Sequence, residues 1–368
     1  MDPRELRQLG IRFGEREAAD AEAYPAANID ELKAAGLLGA PFSTAQGGQG
    51  WSLDDAVRAV EVIASYSPST ALVWSMPLGL AGIFALGPGV APLEHRASWE
   101  AQIGDLAREY RAGALYAACN SERGAGGSLA ATQTLATRDK DGVFRLRGEK
   151  ILASSGHFAQ RFFSTAKVSQ DDVPGAGVVE MFFVPTDGAG VLVQSDWDGF
   201  GMRGTESHTV RYEDAAAEAM VGFPDFLEVV QPLQYWFCLF AAVPLGCAGG
   251  MLRTLSSPAP ESPALRLRLS DALMRYEALR AYLLNTADQW RGCAGPEYAA
   301  RVLRTKTYVT QEATALCASL FSLSGGRHYR RNDALARLLA DSFAGTSLRP
   351  PLALALDALV EQFAPVDL

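Results

Sequence analysis

The 368 residues are 48% apolar and carry a formal net charge of −9, with a pI near 5.1. A chain of this length and apolar content can bury a large core spread over two or three packed units, which excludes a disordered polymer. The acidic balance argues against non-specific nucleic-acid binding, which needs a field of Lys and Arg facing phosphates.

The opening Met1-Asp2-Pro3-Arg4-Glu5-Leu6 is charged from the start and lacks the apolar run of a secretory signal. From Ile29 the chain reads as helices. Leu32, Leu37 and Leu38 precede a turn, and Ser52 is placed to cap a helix in which Leu53, Ala56, Val57, Val60 and Ala64 recur on one apolar face. Between them, Ala45-Gln46-Gly47-Gly48-Gln49-Gly50 reads as a helix-to-helix turn, because a lone glycine cluster supplies a tight change of direction and little more. Near Gly113 the character changes to short apolar runs at 115–119, 143–146, 162–168 and 178–184, with Asp139-Lys140-Asp141-Gly142 as a hairpin turn. This β-rich insert ends around Val221. Helical spacing then returns: Leu265, Leu269, Leu273, Tyr276 and Leu279 mark one helix, and the Ala-rich run 298–323 marks another. Ser256-Ser257-Pro258-Ala259-Pro260-Glu261-Ser262-Pro263 reads as a linker between two of these helices. The order α, then β, then α is segregated, unlike the alternation of a doubly wound sheet. It divides the chain into an N-terminal helical domain (1–112), a central β-domain (113–222) and a C-terminal helical bundle (223–368).

The most apolar stretch, 236–250, is interrupted by Pro244 and by Gly246, Gly249 and Gly250, so no membrane span is expected and a soluble, cytoplasmic protein is. Cys119, Cys238, Cys247, Cys293 and Cys317 form no CxxC pair, which points away from a disulfide framework or zinc site and toward small buried hydrophobes. His95, His157, His208 and His328 are scattered, none at the spacing that puts two imidazoles on one helix face, so no metal centre is expected.

Four places carry a family resemblance. Leu32-Lys33-Ala34-Ala35-Gly36-Leu37-Leu38 precedes Gly47-Gly48-Gln49-Gly50. Ser121-Glu122-Arg123-Gly124-Ala125-Gly126-Gly127-Ser128 is similar to a Thr-Glu-Pro-x-Ala-Gly-Ser-Asp phrase, with Arg123, Gly127 and Ser128 departing from it. Gly148-Glu149-Lys150-Ile151-Leu152-Ala153-Ser154-Ser155-Gly156 follows, and then Gly201-Met202-Arg203-Gly204-Thr205-Glu206-Ser207. Together they resemble the acyl-CoA dehydrogenase family over nearly the whole chain. The resemblance implies an α+β fold of N-terminal helices, a central antiparallel β-domain and a C-terminal four-helix bundle, with FAD between the last two. It implies that backbone groups of Cys119, Asn120 and Ser121 bond the pyrimidine edge of the isoalloxazine, where an extended strand end offers donors and acceptors in one plane. It also implies flavin contacts from Gly126, from Leu152 where the family has a ring-shielding Trp, and from Ser154 in place of a hydroxyl near the flavin N5. Gly325 and Gly326, in the turn Ser324-Gly325-Gly326-Arg327-His328-Tyr329, join that set. Arg203 reads as structural first. Assembly as a homodimer or homotetramer is implied as well.

The activity the resemblance implies is α,β-desaturation of an acyl thioester, in which a carboxylate removes the α-proton while the flavin takes hydride from the β-carbon. The carboxylate is missing from both places where the family puts it. Counting on from Arg337-Leu338-Leu339-Ala340-Asp341 lands on Arg349, and the earlier Phe343-Ala344-Gly345-Thr346 has Ala344 in place of Glu. Counting back from Pro244-Leu245-Gly246 lands on Trp236, inside Gln234-Tyr235-Trp236-Phe237, which spreads round a helix and so divides between core and pocket. A Trp236 that blocks the thioester site favours a small or non-CoA substrate. Two enzymatic readings follow, beside that of a non-catalytic protein of the same fold. A dehydrogenase would use another base, with Glu206, His208 or Asp341 the nearest carboxylate or imidazole. A flavin monooxygenase of the same fold would need no such base and would place His328 or His157 near the flavin.

Overall fold

The computed structural model describes residues 2–125, 128–292 and 295–361, so Gly126 and Cys293 lie outside the described residues. Asp2 precedes Pro3 and accepts the Arg4 N–H at 2.8 Å, and this cap starts a helix, α1 (Pro3–Ala19), well before Ile29, where the periodicity first suggests one. Then come α2 (Ala26–Ala34), α3 (Leu53–Ala64), α4 (Pro68–Phe84) and α5 (Arg96–Arg111). α3 begins at Ser52 as its sequence predicts, with a reciprocal box in which Ser52 Oγ accepts the Asp55 N–H and the Asp55 carboxylate accepts that of Ser52. Every residue of α4 is buried, which leaves it no polar face and no readable period.

β1 (Tyr116–Ala118), β2 (Leu135–Arg138), β3 (Phe144–Ala153), β4 (Arg161–Lys167), β5 (Val179–Pro185), β6 (Val191–Val193), β7 (His208–Ala216) and β8 (Ala219–Met220) form one sheet in the order β6-β7-β3-β2-β4-β5-β8, with β1 also on β4. The hairpin predicted at Asp139 joins β2 to β3: its Oδ1 accepts the Asp141 and Val143 N–H groups, both at 3.0 Å, and Gly142 takes φ +81°. Pairings are antiparallel except that β1 and β2 both run parallel to β4, which the chain reaches through the loop after β3 instead of a tight turn. A register shift between Lys150 and Ala153 ends β3 and turns Leu152 out of the ladder.

The C-terminal part holds α6 (Phe226–Val230), α7 (Leu233–Ser256), α8 (Pro263–Asp288), α9 (Gly295–Leu323), α10 (Ala334–Ser342), α11 (Ala344–Ser347) and α12 (Leu352–Glu361). The expectation that Pro244 and the glycines break the apolar stretch is corrected here. α7 runs through them unbroken and is long and apolar enough to cross a membrane, but 89% of that span is buried inside the protein. Its glycines serve packing: a Cβ on Gly246 would lie 2.5 Å from the Glu61 carbonyl, so α7 and α3 touch backbone to side-chain-free backbone. α7 packs on α3, α4, α8, α9, α10 and α11 and forms the axis of the helical half. The alternation of β4 sends Phe163 toward these helices and Phe162 into a second core with Leu146, Phe182, Val184 and Tyr212. Cys119, Cys238, Cys247 and Cys317 are buried free thiols.

Candidate active site

Where the helix-facing side of the sheet meets α4, α7 and α10 it leaves a cavity of about 270 Å³. Its lining is apolar at Leu72, Met76, Phe163, Met181, Trp236 and Phe240 and polar at Asn120, Ser121, Ser154, Thr165, Ser207 and Arg349. An amphipathic group suits such a lining.

Asn120, Ser121, Leu152 and Ser154, the flavin contacts that the resemblance implies, all line this cavity. Cys119 stands behind them, fully buried, its N–H donated to the Phe163 carbonyl at 3.0 Å and its own carbonyl accepting Ser164 Oγ at 2.6 Å. The Asn120 carbonyl accepts Arg349 Nη2 at 3.0 Å, and that of Ser121 accepts the Ile151 N–H at 2.8 Å. The carbonyls of Asn120 and Ser121, two lining residues, thus each have one lone pair engaged and one free. Leu152 sits at φ +59° and is 49% exposed; a left-handed leucine costs about 1–2 kcal/mol, and this strain puts the side chain on the cavity wall. Gly325 and Gly326 occupy an exposed turn away from the cavity.

Neither histidine suggested as a catalyst reaches the cavity. His328 Nδ1 pairs with Asp333, the cap of α10, at 3.0 Å, while its Nε2 accepts Arg327 Nε at 2.8 Å, and these bonds hold the ring on the outer turn. His157 Nδ1 faces Glu206 Oε2 at 3.1 Å, in a cluster the sequence spacing does not foresee: ligand atoms of His157, Glu206 and His208 lie within 4.8 Å of one another. His208 Nδ1 accepts the N–H groups of both Asp196 and Trp197, at 3.1 and 3.0 Å, so its proton sits on Nε2, 3.5 Å from Glu206 Oε2. A metal at Nε2 would have to displace that proton without another site for it. The cluster therefore fits a hydrogen-bonded latch between the loop after β3 and the start of β7.

Beside the latch three hydroxyls form a chain, two of which, Ser154 and Ser207, line the cavity. Thr205 Oγ1 donates to the Met202 carbonyl at 2.9 Å, lies 2.7 Å from Ser207 Oγ, and Ser207 Oγ lies 2.9 Å from Ser154 Oγ. A carbonyl can only accept, so the chain runs one way: Ser154 donates to Ser207, Ser207 to Thr205, and Thr205 to Met202. Ser154 then presents lone pairs, not a proton, to the cavity.

Beneath the polar lining, Glu122 accepts Lys150 Nζ at 2.5 Å, Thr134 Oγ1 at 2.7 Å and the N–H groups of Gln133 and Thr134. Lys150 is fully buried and also donates to the Thr165 carbonyl at 2.6 Å. Burial opposes ionisation of Glu122, but the Lys150 ammonium and the other donors outweigh it and hold the carboxyl below its usual range. This pair braces the loop of Ser121 against β3 and β4.

At the two places where a proton-abstracting carboxylate would stand, the cavity wall carries Trp236 and Arg349. Trp236 stacks on Phe163, centroids 5.5 Å apart, and its Nε1 donates to the Ser75 carbonyl at 3.2 Å. It fits only because position 79 is glycine, where a Cβ would come within 2.1 Å of that nitrogen. Arg349 is held by its neighbours: Lys306 Nζ donates to the carbonyls of Leu348 and Pro350 at 2.9 and 2.6 Å. Asp341, the nearest acid in sequence, turns away from the cavity, caps the Met202 N–H at 2.6 Å and faces Glu17. Burial raises Asp341 to about 6 and, together with Asp341, raises Glu17 to about 8. Arg203 reaches Glu22 and Asn332, a tether between the N-terminal helices and the turn before α10. Among the described residues no Asp or Glu lines the cavity.

Residues 5–88, 117–215 and 239–347 match, in chain order, the family models for the acyl-CoA dehydrogenase N-terminal, middle and C-terminal domains. The chain belongs to the acyl-CoA dehydrogenase family. It is similar to the probable acyl-CoA dehydrogenase YngJ of Bacillus subtilis (strain 168), at 24% identity over 87% of this chain and 84% of that one. It is also similar to the dibenzothiophene monooxygenase of Rhodococcus erythropolis, at 27% identity over 85% and 80%. The structure of KijD3 in complex with FMN and dTDP-3-amino-2,3,6-trideoxy-4-keto-3-methyl-D-glucose superposes with a TM-score of 0.85 at 22% identity, over 97% of this chain and 91% of that one. The acyl-CoA dehydrogenase family thus includes relatives named for both chemistries that the sequence left open. The missing carboxylate becomes the feature that discriminates between them.

Proposed function

We infer that this member of the acyl-CoA dehydrogenase family is a flavin-dependent monooxygenase acting on a small, largely apolar molecule. The observation that carries this reading is the cavity lining: Trp236 and Arg349 occupy the base positions, and no described carboxylate replaces them. Desaturation needs a base at the α-carbon, whereas oxygen transfer does not. The bound flavin, as FAD or FMN, would supply the chemistry by giving two electrons to O₂, so that one oxygen atom reaches the substrate and the other leaves, with two protons, as water, a separate reductase restoring the reduced form.

This chain's own residues would bind, orient and exclude water. Asn120, Ser121, Leu152 and Ser154 would hold the ring, with Cys119 behind them stiffening the strand end. Ser154, with its lone pairs turned to the cavity, matches an N–H on the ligand, as the reduced ring carries at N5 and the oxidised ring does not. The apolar lining and the Trp236–Phe163 stack would keep water from the reacting atoms. Gly325 and Gly326 could serve a flavin only from a second copy of the chain, in keeping with a homodimer or homotetramer. The family's usual reaction, desaturation of an acyl thioester, is supported by the two glycine-bearing loops at 121–128 and 148–156 and opposed by the lining.

Anaerobic addition of short- to long-chain acyl-CoAs to the flavin-loaded protein should leave the visible flavin band intact. Chemical reduction followed by oxygenated buffer should reoxidise it with consumption of O₂. Bleaching by any thioester would return the chain to the dehydrogenases.

A further inference from the structure

Arg349 has more hydrogen-bonding capacity than the protein uses. Only Nη2 is engaged, by the Asn120 carbonyl at 3.0 Å, while the buried Nε and Nη1 meet no acceptor among the described residues. Among the described residues it is the only charged one lining the cavity, and the carboxylate that acts on it, Glu122, is already taken by Lys150, Thr134 and Gln133. A guanidinium withdrawn from water without an anion is costly, and here burial lowers its pKa to about 10. Its place is nevertheless fixed, because Lys306 grips the carbonyls on both sides of it. An oxidised flavin ring is neutral and cannot balance the charge.

We propose that Arg349 is the anion subsite of the substrate pocket and that the substrate is a compact apolar acid whose carboxylate lies against this guanidinium. The planar fork of an arginine suits a carboxylate, offering two N–H donors at fixed spacing. The rest of the cavity sets the other half of the ligand. Leu72, Met76, Phe240 and the face of Trp236 offer an apolar slot with no charge to meet a second polar group. The proposal rests on the reading of this cavity as a substrate pocket, though not on the reaction carried out there.

The test compares 3-phenylpropionate with its neutral isostere 3-phenylpropionamide, titrated calorimetrically into flavin-loaded protein without reductant. The acid should bind at least tenfold more tightly than the amide. Arg349→Met should abolish that preference and Arg349→Lys should keep part of it, with flavin content measured in each sample to show that the pocket is intact. An acid that binds no better than its amide in the wild type, including the case where neither binds, overturns the proposal, and this comparison needs no variant. A preference that survives Arg349→Met overturns it as well, as does a wild type without preference whose Arg349→Met variant loses its flavin, since the guanidinium then serves the cofactor. Acid preference without O₂ consumption would sink the monooxygenase reading and leave this subsite standing. O₂ consumption without acid preference would do the reverse.

Discussion

Lys306 offers the most quantitative check on the way the cavity wall is built. It is 1% exposed, and its ammonium bonds two main-chain carbonyls, Leu348 and Pro350, with no carboxylate paired to it among the described residues. Burial pushes its pKa down from 10.5 to about 7. Between those values the unfolded chain holds a proton that the folded chain lacks, so stability rises with pH through the window, and the full cost of burying the charge is felt below it. The gap corresponds to at most about 5 kcal/mol, or about 1.4 kcal/mol per pH unit. Lys306→Met keeps an unbranched side chain and removes the titration. It also strips the donor from two carbonyls, a loss of roughly 1–3 kcal/mol for a buried group that is the same at every pH. In urea denaturation from about pH 6.5 to about pH 9.5, the wild type should gain on the variant above neutrality, by roughly 3 kcal/mol at the upper end. Two stability profiles that stay parallel over that range would refute the reasoning, because the ammonium would then be as well solvated as in the unfolded chain.

Two more outcomes follow from the polar lining. Lys150→Met should destabilise the protein by about 3–5 kcal/mol by leaving the Glu122 carboxylate buried without its counter-charge; adding Glu122→Gln should restore part of the loss in thermal unfolding, and a double variant no more stable than the single one would contradict the pairing. Ser154→Ala should weaken the reduced flavin by about 1 kcal/mol more than the oxidised one, and so lower its midpoint potential, because the lost group is an acceptor; a greater weakening of the oxidised state, with a raised potential, would mean that Ser154 donates instead, and equal weakening would mean that it does not distinguish the two states.

The parts of the fold that were legible in the sequence are those where one local signal decides. Ser52 with Asp55 three residues on sets the start of α3, and Asp139 with Gly142 sets the hairpin between β2 and β3. α1 escaped because its cap, Asp2, stands before a helix with a narrow buried stripe of Leu6, Leu9 and Phe13, and α4 because burial on all sides erases the period. α7 misled for the opposite reason: Pro244 and its glycines are breakers in isolation, yet here they let a buried helix lie against α3. For the site, Asn120, Ser121, Leu152 and Ser154 are legible through the family resemblance and not through spacing; β1 and β3 are not paired, and a single bridge between Ser121 and Ile151 brings the two loops together beside the cavity. Spacing could not show that His157 and His208 meet, because they join across a loop and a strand, or that His328 is turned outward by Asp333. The pairing of Lys306 with the carbonyls around Arg349 leaves no sequence pattern at all; a lone lysine on an amphipathic helix reads as solvated until the chain that covers it is in place.

That pairing bears on how firmly the chemistry is set. A carboxylate introduced at position 349 would not by itself recreate a proton-abstracting base. It would enter the field of Glu122, with which Arg349 now interacts favourably, and the two acids would repel in a wall of low dielectric. The carboxyl would be pushed toward its protonated, non-basic form unless Lys150, already bonded to Glu122, served both. At the other base position a carboxylate in place of Trp236 would lose the stack on Phe163 and leave open the space that Gly79 now yields to the indole. Each of the two positions thus has neighbours fitted to the residue it carries: Gly79 yields its space to Trp236, and Lys306 with Asn120 holds Arg349 in place while its Nε and Nη1 remain open to a ligand.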